Sequence, residues 1–447
     1  MTRRELLVMP LAGHAAAMAV PVVWQPDPGA PRAAIERWKD MRFGMFIHWG
    51  PVSILGTEIG WSRGGERRGR KDKTTGPVPV EVYDNLYRMF NPAKFDPDEW
   101  VQLAREAGMK YMVFTTKHHD GFCNFDSRLT DYKVTSPQCP YGRDIVRMLS
   151  DACRRGGLRW GVYYSQPDWH HPDYLNGPAH ARYVEYLHGQ VRELLSGYGP
   201  TTVWFFDGLG RPPEDWDAPR LIRMMRQLEP EVVINNRAGI PADYDTPEQR
   251  LGRFQNQRPW ETCATLGSQW AYKREDPPKS LELCIRALVC CAVRDGNLLL
   301  NVGPRPDGLI EPSHGARLRE IGVFLDQYGE SIYSTRGGPF VAPDEDKLPE
   351  KSHGLEIPAG RWWGGSTYRG NVIYLHILRW PEQTLRLPAI PRKILRSSLL
   401  TGGEAEVTQT AAGVEVSVPE RRRHLVDTIV KLELDGPAAD IPVLRQT

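Results

Sequence analysis

The chain has 447 residues, of which 40% are hydrophobic, 10% aromatic and 25% charged. That is enough to bury a sizeable core and too long for one ordinary domain, which argues against wholesale disorder and for a large α/β domain with a smaller companion. With 57 Lys and Arg against 55 Asp and Glu, the net charge is only +2, so no field of one sign exists to collect phosphate backbones or anionic lipid, and nucleic acid is not an expected partner.

In chain order, residues 1–30 come first. Thr2-Arg3-Arg4 precedes a small and apolar run to Val23 with Ala-x-Ala patterns at 15–17 and 17–19. This is the order of an export signal, and the paired arginines point to the twin-arginine route, so the protein is expected in the periplasm or outside the cell. No other apolar stretch approaches the ~18 residues that span a bilayer. From 31 to 340, short apolar runs alternate with amphipathic segments, the pattern of strands and helices around a parallel sheet. Strands are expected at 43–48, 111–116, 159–165, 202–207, 231–235 and 297–302. Helices are expected at 97–107, 143–156, 179–197, 218–228, 280–294 and 311–328.

These units predict a (β/α)8 TIM-like barrel with two weak units, against a doubly wound open sheet as the alternative. Polar residues stand at the ends of successive strands: His48, Lys117-His118-His119-Asp120, Tyr164-Ser165-Gln166, Asp207 and Asn235-Asn236-Arg237. In a barrel those ends converge on one mouth, which favours the barrel. The Gly-rich, basic segment 57–80 reads as a long loop above that mouth. Beyond 340, Trp362-Trp363 and the runs 372–378, 385–387 and 414–418 predict a small C-terminal antiparallel β-sandwich over 341–447. The seven cysteines (Cys123, Cys139, Cys153, Cys263, Cys284, Cys290 and Cys291) lack CxxC spacing, so buried thiols are expected rather than a zinc site or a disulfide framework, with one or two bridges left open.

The run Val203-Trp204-Phe205-Phe206-Asp207-Gly208 ends an apolar strand in one carboxylate and a glycine. Such an acid at a barrel mouth is placed to attack an anomeric carbon, the alternative being a cap on the next helix. Gly208 would let a ligand approach. His118 and His119 suit hydrogen bonding to a polyhydroxylated ligand, with metal binding and a structural role as alternatives. Retaining glycoside hydrolysis also needs a second carboxyl held protonated about 5–5.5 Å from the first, and Glu248 and Glu261 are the candidates. Trp49, Trp61, Trp169, Trp204, Phe205 and Trp260 lie beside these polar residues, so part of the excess of 14 Trp and 17 Tyr reads as sugar-binding surface.

RFGMFIHWG (42–50), TTKHHDGFCNFDS (115–127), GRDIV (142–146), GVYYSQPDWHHPDY (161–174), VWFFDG (203–208), RPWETC (258–263) and DGNLLLNVGPRPDG (295–308) occur in one order. Together they resemble the α-L-fucosidases of glycoside hydrolase family 29 over residues 35–340. The resemblance implies a retaining exo-acting enzyme that releases terminal α-L-fucose from fucosylated oligosaccharides or glycoconjugates, without a metal or organic cofactor. It makes Asp207 the nucleophile and Glu248 the acid/base, with Glu261 as the other choice. By the same resemblance His48, Trp61, His118, His119, Tyr164 and Arg237 bind substrate; Phe205, whose ring could cover the apolar face of the sugar, and the acids Glu58 and Glu261 are further substrate-binding candidates. Members often read Glu-Trp-Tyr where this chain has Glu58-Ile59-Gly60-Trp61. Two rival readings are a metal-dependent barrel hydrolase using His118, His119 and Asp207, and a sugar-binding protein without catalysis.

Overall fold

The computed structural model describes residues 29–71, 75–343, 350–352, 354–357 and 362–445. Nearly all of the export-like segment lies outside them. Seven parallel strands form one curled sheet: β1 Phe43–Ile47, β2 Tyr111–Lys117, β3 Arg159–Tyr164, β4 Val203–Phe206, β5 Val233–Ile234, β6 Glu261–Thr265 and β7 Asn297–Val302. Their spatial order is β5-β4-β3-β2-β1-β7-β6. The segment 243–249 closes the ring between β5 and β6. It is too irregular to be a strand, yet Asn236 N–H bonds to the Tyr244 carbonyl on one side, and Asp245 and Cys263 N–H groups bond to the Pro259 and Pro247 carbonyls on the other. The two weak units expected of the barrel are therefore this segment and β6, which the sequence reading treated as a motif rather than a strand.

The helices are α1 Arg32–Met41, α2 Val80–Tyr83, α3 Pro97–Glu106, α4 Ile145–Gly156, α5 His180–Gly197, α6 Ala218–Leu228, α7 Leu281–Val293 and α8 Pro312–Tyr328. Local chemistry sets several ends. The Asp96 carboxylate caps α3 at the Asp98 and Glu99 N–H groups, with Pro97 at the first helical position, and Asp144 caps α4, which stops at Gly157 in the left-handed region.

Period-two alternation sorts the strands' side chains into two cores. Phe46, Tyr111, Val113, Tyr163, Val203, Phe205, Val233, Cys263 and Leu299 fill the barrel interior. Trp204, Phe206, Tyr164 and Val162 face the helices instead.

The C-terminal part begins slightly earlier than residue 340, because β8, Arg336–Val341, already pairs with a strand of the second unit. Its other strands are β9 Glu350–Ser352, β10 Leu355–Ile357, β11 Gly364–Arg369, β12 Val372–Ile377, β13 Thr384–Leu387, β14 Ile394–Leu399, β15 Glu406–Thr410, β16 Gly413–Ser417, β17 Thr428–Leu434 and β18 Leu444–Arg445. A sheet in the order β14-β17-β12-β11-β8-β18 and a three-stranded sheet β13-β16-β15 are antiparallel apart from the β8–β18 pair. Their apolar faces share one core.

Barrel and sandwich are tied by a buried charge cluster. Asp295 receives Lys39 Nζ at 2.8 Å and Arg42 Nη2 at 2.7 Å, and its Oδ1 also accepts the Gly337 N–H of β8 at 3.0 Å. Asp295→Ala leaves two buried cations without their carboxylate, so equilibrium unfolding in urea is expected to show a loss of about 3–5 kcal/mol. A change below 1 kcal/mol would refute that role for the cluster.

Candidate active site

A cavity of about 650 Å³ opens at the C-terminal ends of the strands, and its lining includes His48, Trp61, His118, Tyr163, Phe205, Asp207, Arg237, Glu248 and Trp270. Alternation places Asp207 there: Val203 and Phe205 face the barrel interior, so the next residue of the same parity leaves the strand pointing into the mouth. It caps no helix. The next helical turn starts only at Pro213 and has no side-chain cap. Both carboxylate oxygens are held instead, Oδ1 by Arg237 Nη1 at 3.1 Å and Oδ2 by the Tyr163 hydroxyl at 2.8 Å. Gly208 serves the protein's own packing, since a Cβ there would lie 2.4 Å from the Arg237 carbonyl oxygen.

Arg237 spans the site. Its Nη2 is 2.9 Å from Glu248 Oε2, while Nε donates to Thr246 Oγ1 at 2.8 Å. One guanidinium thus joins the two carboxylates.

Three imidazoles frame the carboxylates. Burial holds His48 down to about 4, and burial first, then neighbouring positive groups, holds His118 and His119 well below the usual range. All three are neutral near pH 7 and offer acceptors. The tautomer of His119 follows from its partners. Ser165 Oγ donates its only proton to the Pro167 carbonyl at 2.7 Å, so it accepts from His119 Nδ1 at 2.6 Å. The lone pair of Nε2 therefore faces the pocket 3.4 Å from Asp207 Oδ2. His119 Nε2 and His118 Nδ1 are buried without a partner. His48 Nδ1 lies 2.7 Å from Asn301 Oδ1, and the Asn301 amide also binds the Trp270 carbonyl at 2.7 Å. Gly60, with φ +63°, leaves room for His118, whose Nδ1 would be 2.7 Å from a Cβ there.

Several expected site residues lie elsewhere. Tyr164 faces the helices and donates to Gln190 Oε1 at 2.8 Å; its neighbour Tyr163 has the inward parity and takes the place at the nucleophile. Glu58 does not line the cavity. Its carboxylate accepts the N–H groups of Trp270 at 2.9 Å and Ala271 at 3.0 Å, so it anchors the segment that presents Trp270. Glu261 is the first residue of β6, paired in register with the first residue of β7. It therefore sits on the floor of the barrel, fully buried and hydrogen-bonded to the Tyr111 hydroxyl, at the opposite end of the strands from Asp207. Among the tryptophans, Trp49 and Trp204 are fully buried and Trp260 nearly so; Trp61 lines the cavity with Trp169 packed behind it at 5.3 Å.

Burial pushes the Glu261 carboxyl up to about 8 from an ordinary value of 4.5. The folded protein holds this proton where the unfolded chain releases it, so the contribution is full below about 4.5 and is lost as pH rises through about 8. Glu261→Gln keeps the neutral form at every pH. Its stability relative to the parent protein, measured by urea unfolding, is expected to improve as pH rises from 5 to 8 and then level off; a pH-independent difference would contradict this.

The residues missed in the sequence are Tyr163, Asn301 and Trp270. Tyr163 carried no more signal than Tyr164, because alternation puts the two on opposite faces of β3 without saying which face is inward. Trp270 carried no signal, since it reaches His48, ring centroids 4.9 Å apart, only through the folding of a long loop.

Ligand atoms of His118, His119 and Asp207 lie within 4.8 Å of one another, close enough to hold a metal ion. Arg237 already supplies a cation to this carboxylate, and Lys117 and Arg237 both act against positive charge at His119. A further cation would enter against that field. Unpartnered acceptors beside a paired carboxylate suit sugar hydroxyls better.

A parallel barrel with two bridged carboxylates in a pocket of neutral imidazoles and aromatic rings has the arrangement of a glycoside hydrolase. The family description "Alpha-L-fucosidase" matches residues 21–330. Human tissue α-L-fucosidase is 30% identical over 385 residues, covering 80% of this chain and 79% of that protein. Among solved structures, α-L-fucosidase isoenzyme 1 from Paenibacillus thiaminolyticus has a TM-score of 0.75 at 35% identity, covering 90% of this chain and 99% of that one. A family 29 α-L-fucosidase from Bacteroides thetaiotaomicron, trapped as a covalent intermediate with 2-fluoro-fucosyl fluoride, has a TM-score of 0.77 at 27% identity, covering 94% of this chain and 100% of that one. The chain belongs to the α-L-fucosidase family.

Proposed function

We infer that this protein is a retaining α-L-fucosidase that removes terminal α-L-fucose from fucosylated oligosaccharides or glycoconjugates. The observation that carries the reading is the pair Asp207 and Glu248, joined by one guanidinium at the barrel mouth. Asp207 attacks the anomeric carbon as the bond to the aglycone oxygen breaks, and Glu248 protonates that oxygen. Water then attacks the fucosyl ester while Glu248 takes its proton, and Asp207 leaves as carboxylate. His48, His118 and His119 accept sugar hydroxyls, and Phe205, Trp61 and Trp270 offer apolar surface to the ring and its methyl group. Proton NMR of hydrolysis of a nitrophenyl α-L-fucoside tests this: α-fucose should form first, and β-fucose first would overturn retention.

The spacing of His118, His119 and Asp207 gives the metal-dependent rival one supporting observation. Activity that vanishes on exhaustive chelation and returns only with added metal would favour that rival. Export by the twin-arginine route is proposed from Arg3-Arg4 and the apolar run that follows. It predicts that replacing both arginines with lysine holds the protein in the cytoplasm.

A further inference from the structure

We propose that Gln249 and the backbone of β10 form a brace that aims Glu248 into the barrel mouth, so that the C-terminal part of the chain contributes to protonation of the leaving group. This rests on the reading of Glu248 as acid/base given above, and it makes Gln249 and Glu356 positioning residues.

Glu248 lies in the irregular segment 243–249 that closes the barrel, so its register against β6 settles where its side chain points. The Cys263 N–H bonds to the Pro247 carbonyl at 3.1 Å and the Gln249 N–H to the Cys263 carbonyl at 2.9 Å, which sets Glu248 directly opposite Cys263. Residues opposed in this way carry their side chains on the same face. Cys263 faces the barrel interior, and Glu248 therefore faces the mouth, where it meets Arg237 at 2.9 Å. A slip of one residue would turn it outward. The Glu248 side chain is 43% exposed, so packing does little to aim it and the backbone carries that task.

Gln249 pins the register. Its φ is +52°, a left-handed conformation that is costly for a residue with a Cβ and persists only where the surroundings impose it. Four hydrogen bonds impose it here. Besides the bond to Cys263, the Gln249 carbonyl accepts the Glu356 N–H of β10 at 2.9 Å, Nε2 donates to Thr265 Oγ1 at 3.0 Å, and Oε1 accepts the Thr265 N–H at 3.3 Å. Thr265 Oγ1 gives its own proton to the Gly267 carbonyl at 2.8 Å, which makes it an acceptor for Gln249 and fixes the direction of that amide. The turn at 249 then carries the chain from β6 to β10. The Leu251 N–H bonds to the Glu356 carbonyl at 3.2 Å, while the Arg250 carbonyl is held back to β6 by Thr262 Oγ1 at 2.9 Å. β10 is itself anchored, because Leu355 and Ile357 are buried in the shared core and the strand pairs with β9.

The test compares two substrates within one protein sample, so that the ratio does not depend on how much of a variant folds. Phenyl α-L-fucoside needs a proton at its leaving oxygen, and 2,4-dinitrophenyl α-L-fucoside does not. Glu356→Pro removes the N–H that binds the Gln249 carbonyl and leaves every side chain of the mouth in place. Gln249→Val excludes the left-handed conformation by its branched Cβ, whereas Gln249→Gly accepts it. For Glu356→Pro and Gln249→Val, kcat/KM on the phenyl substrate is expected to fall about 10²-fold, the scale of a misplaced catalytic group, while the dinitrophenyl substrate is nearly spared. Gln249→Gly should lose less than Gln249→Val on the phenyl substrate. Equal losses on both substrates, or unchanged rates on both, overturn the brace, as does a loss in Gln249→Gly as large as that in Gln249→Val. Failure of the underlying assignment looks different: Glu248→Ala would then itself lose no more on the phenyl than on the dinitrophenyl substrate.

Discussion

Asp207→Ala is expected to lower kcat by at least about 10⁴-fold, the range seen when a catalytic nucleophile is removed. The geometry gives the reason. Asp207 is the one carboxylate of the mouth with both oxygens engaged, by Arg237 at 3.1 Å and Tyr163 at 2.8 Å, and it lies beneath the unpartnered nitrogens of His118 and His119. The bonds from Arg237 and Tyr163 fix the orientation of the carboxylate at the mouth, which a nucleophile needs. Alanine also leaves a space that a small anion can fill beside Arg237. Added azide should restore turnover and give β-fucosyl azide, because it attacks from the face that Asp207 used. Undiminished hydrolysis in Asp207→Ala would remove this residue from the mechanism.

Glu248→Ala carries the second large effect. On substrates with poor leaving groups kcat/KM is expected to fall about 10²–10⁴-fold, the contribution of one positioned acid. On 2,4-dinitrophenyl fucoside, which leaves without a proton, the first step should be nearly spared and the second slow. Azide should then give α-fucosyl azide, the opposite anomer from that of Asp207→Ala, since it intercepts the ester in place of water. The pair of rescue products assigns both carboxylates from one type of measurement. Equal losses on both kinds of substrate would remove Glu248 as acid/base, and with Glu261 on the barrel floor the search would turn to another carboxyl of the mouth.

Much of the barrel was legible because its signals are local. The strand 203–206 and the helix 218–228 follow from alternation, apolar content and flanking turn residues, and the strand ends carry the polar groups that a barrel mouth collects. β6 was less legible, since Glu261-Thr262-Cys263-Ala264-Thr265 carries a carboxylate and two threonines and has little of the apolar signature of a buried strand. Its acid is tolerated because burial keeps it neutral and Tyr111 gives it a hydrogen bond. Glu58 shows the complementary difficulty: an acid near a functional tryptophan reads as a binding group, whereas its partners are the backbone N–H groups of a segment more than 200 residues away.

By itself the sequence determined the alternation of strands and helices, the order of the motifs, and the presence of a carboxylate at the end of the fourth strand. Those features depend on neighbours a few residues apart, where backbone periodicity and turn chemistry act. Only the tertiary structure decided which of Tyr163 and Tyr164 meets the nucleophile, which of Glu248 and Glu261 shares its end of the barrel, and that Arg237 joins the two acids. It also assigned most of the aromatic excess to core and put Phe46, Trp61, Tyr163, Phe205 and Trp270 at the cavity wall. Each of these depends on where the curled sheet closes and which end of a strand reaches the mouth, and no local pattern of residues encodes that distance.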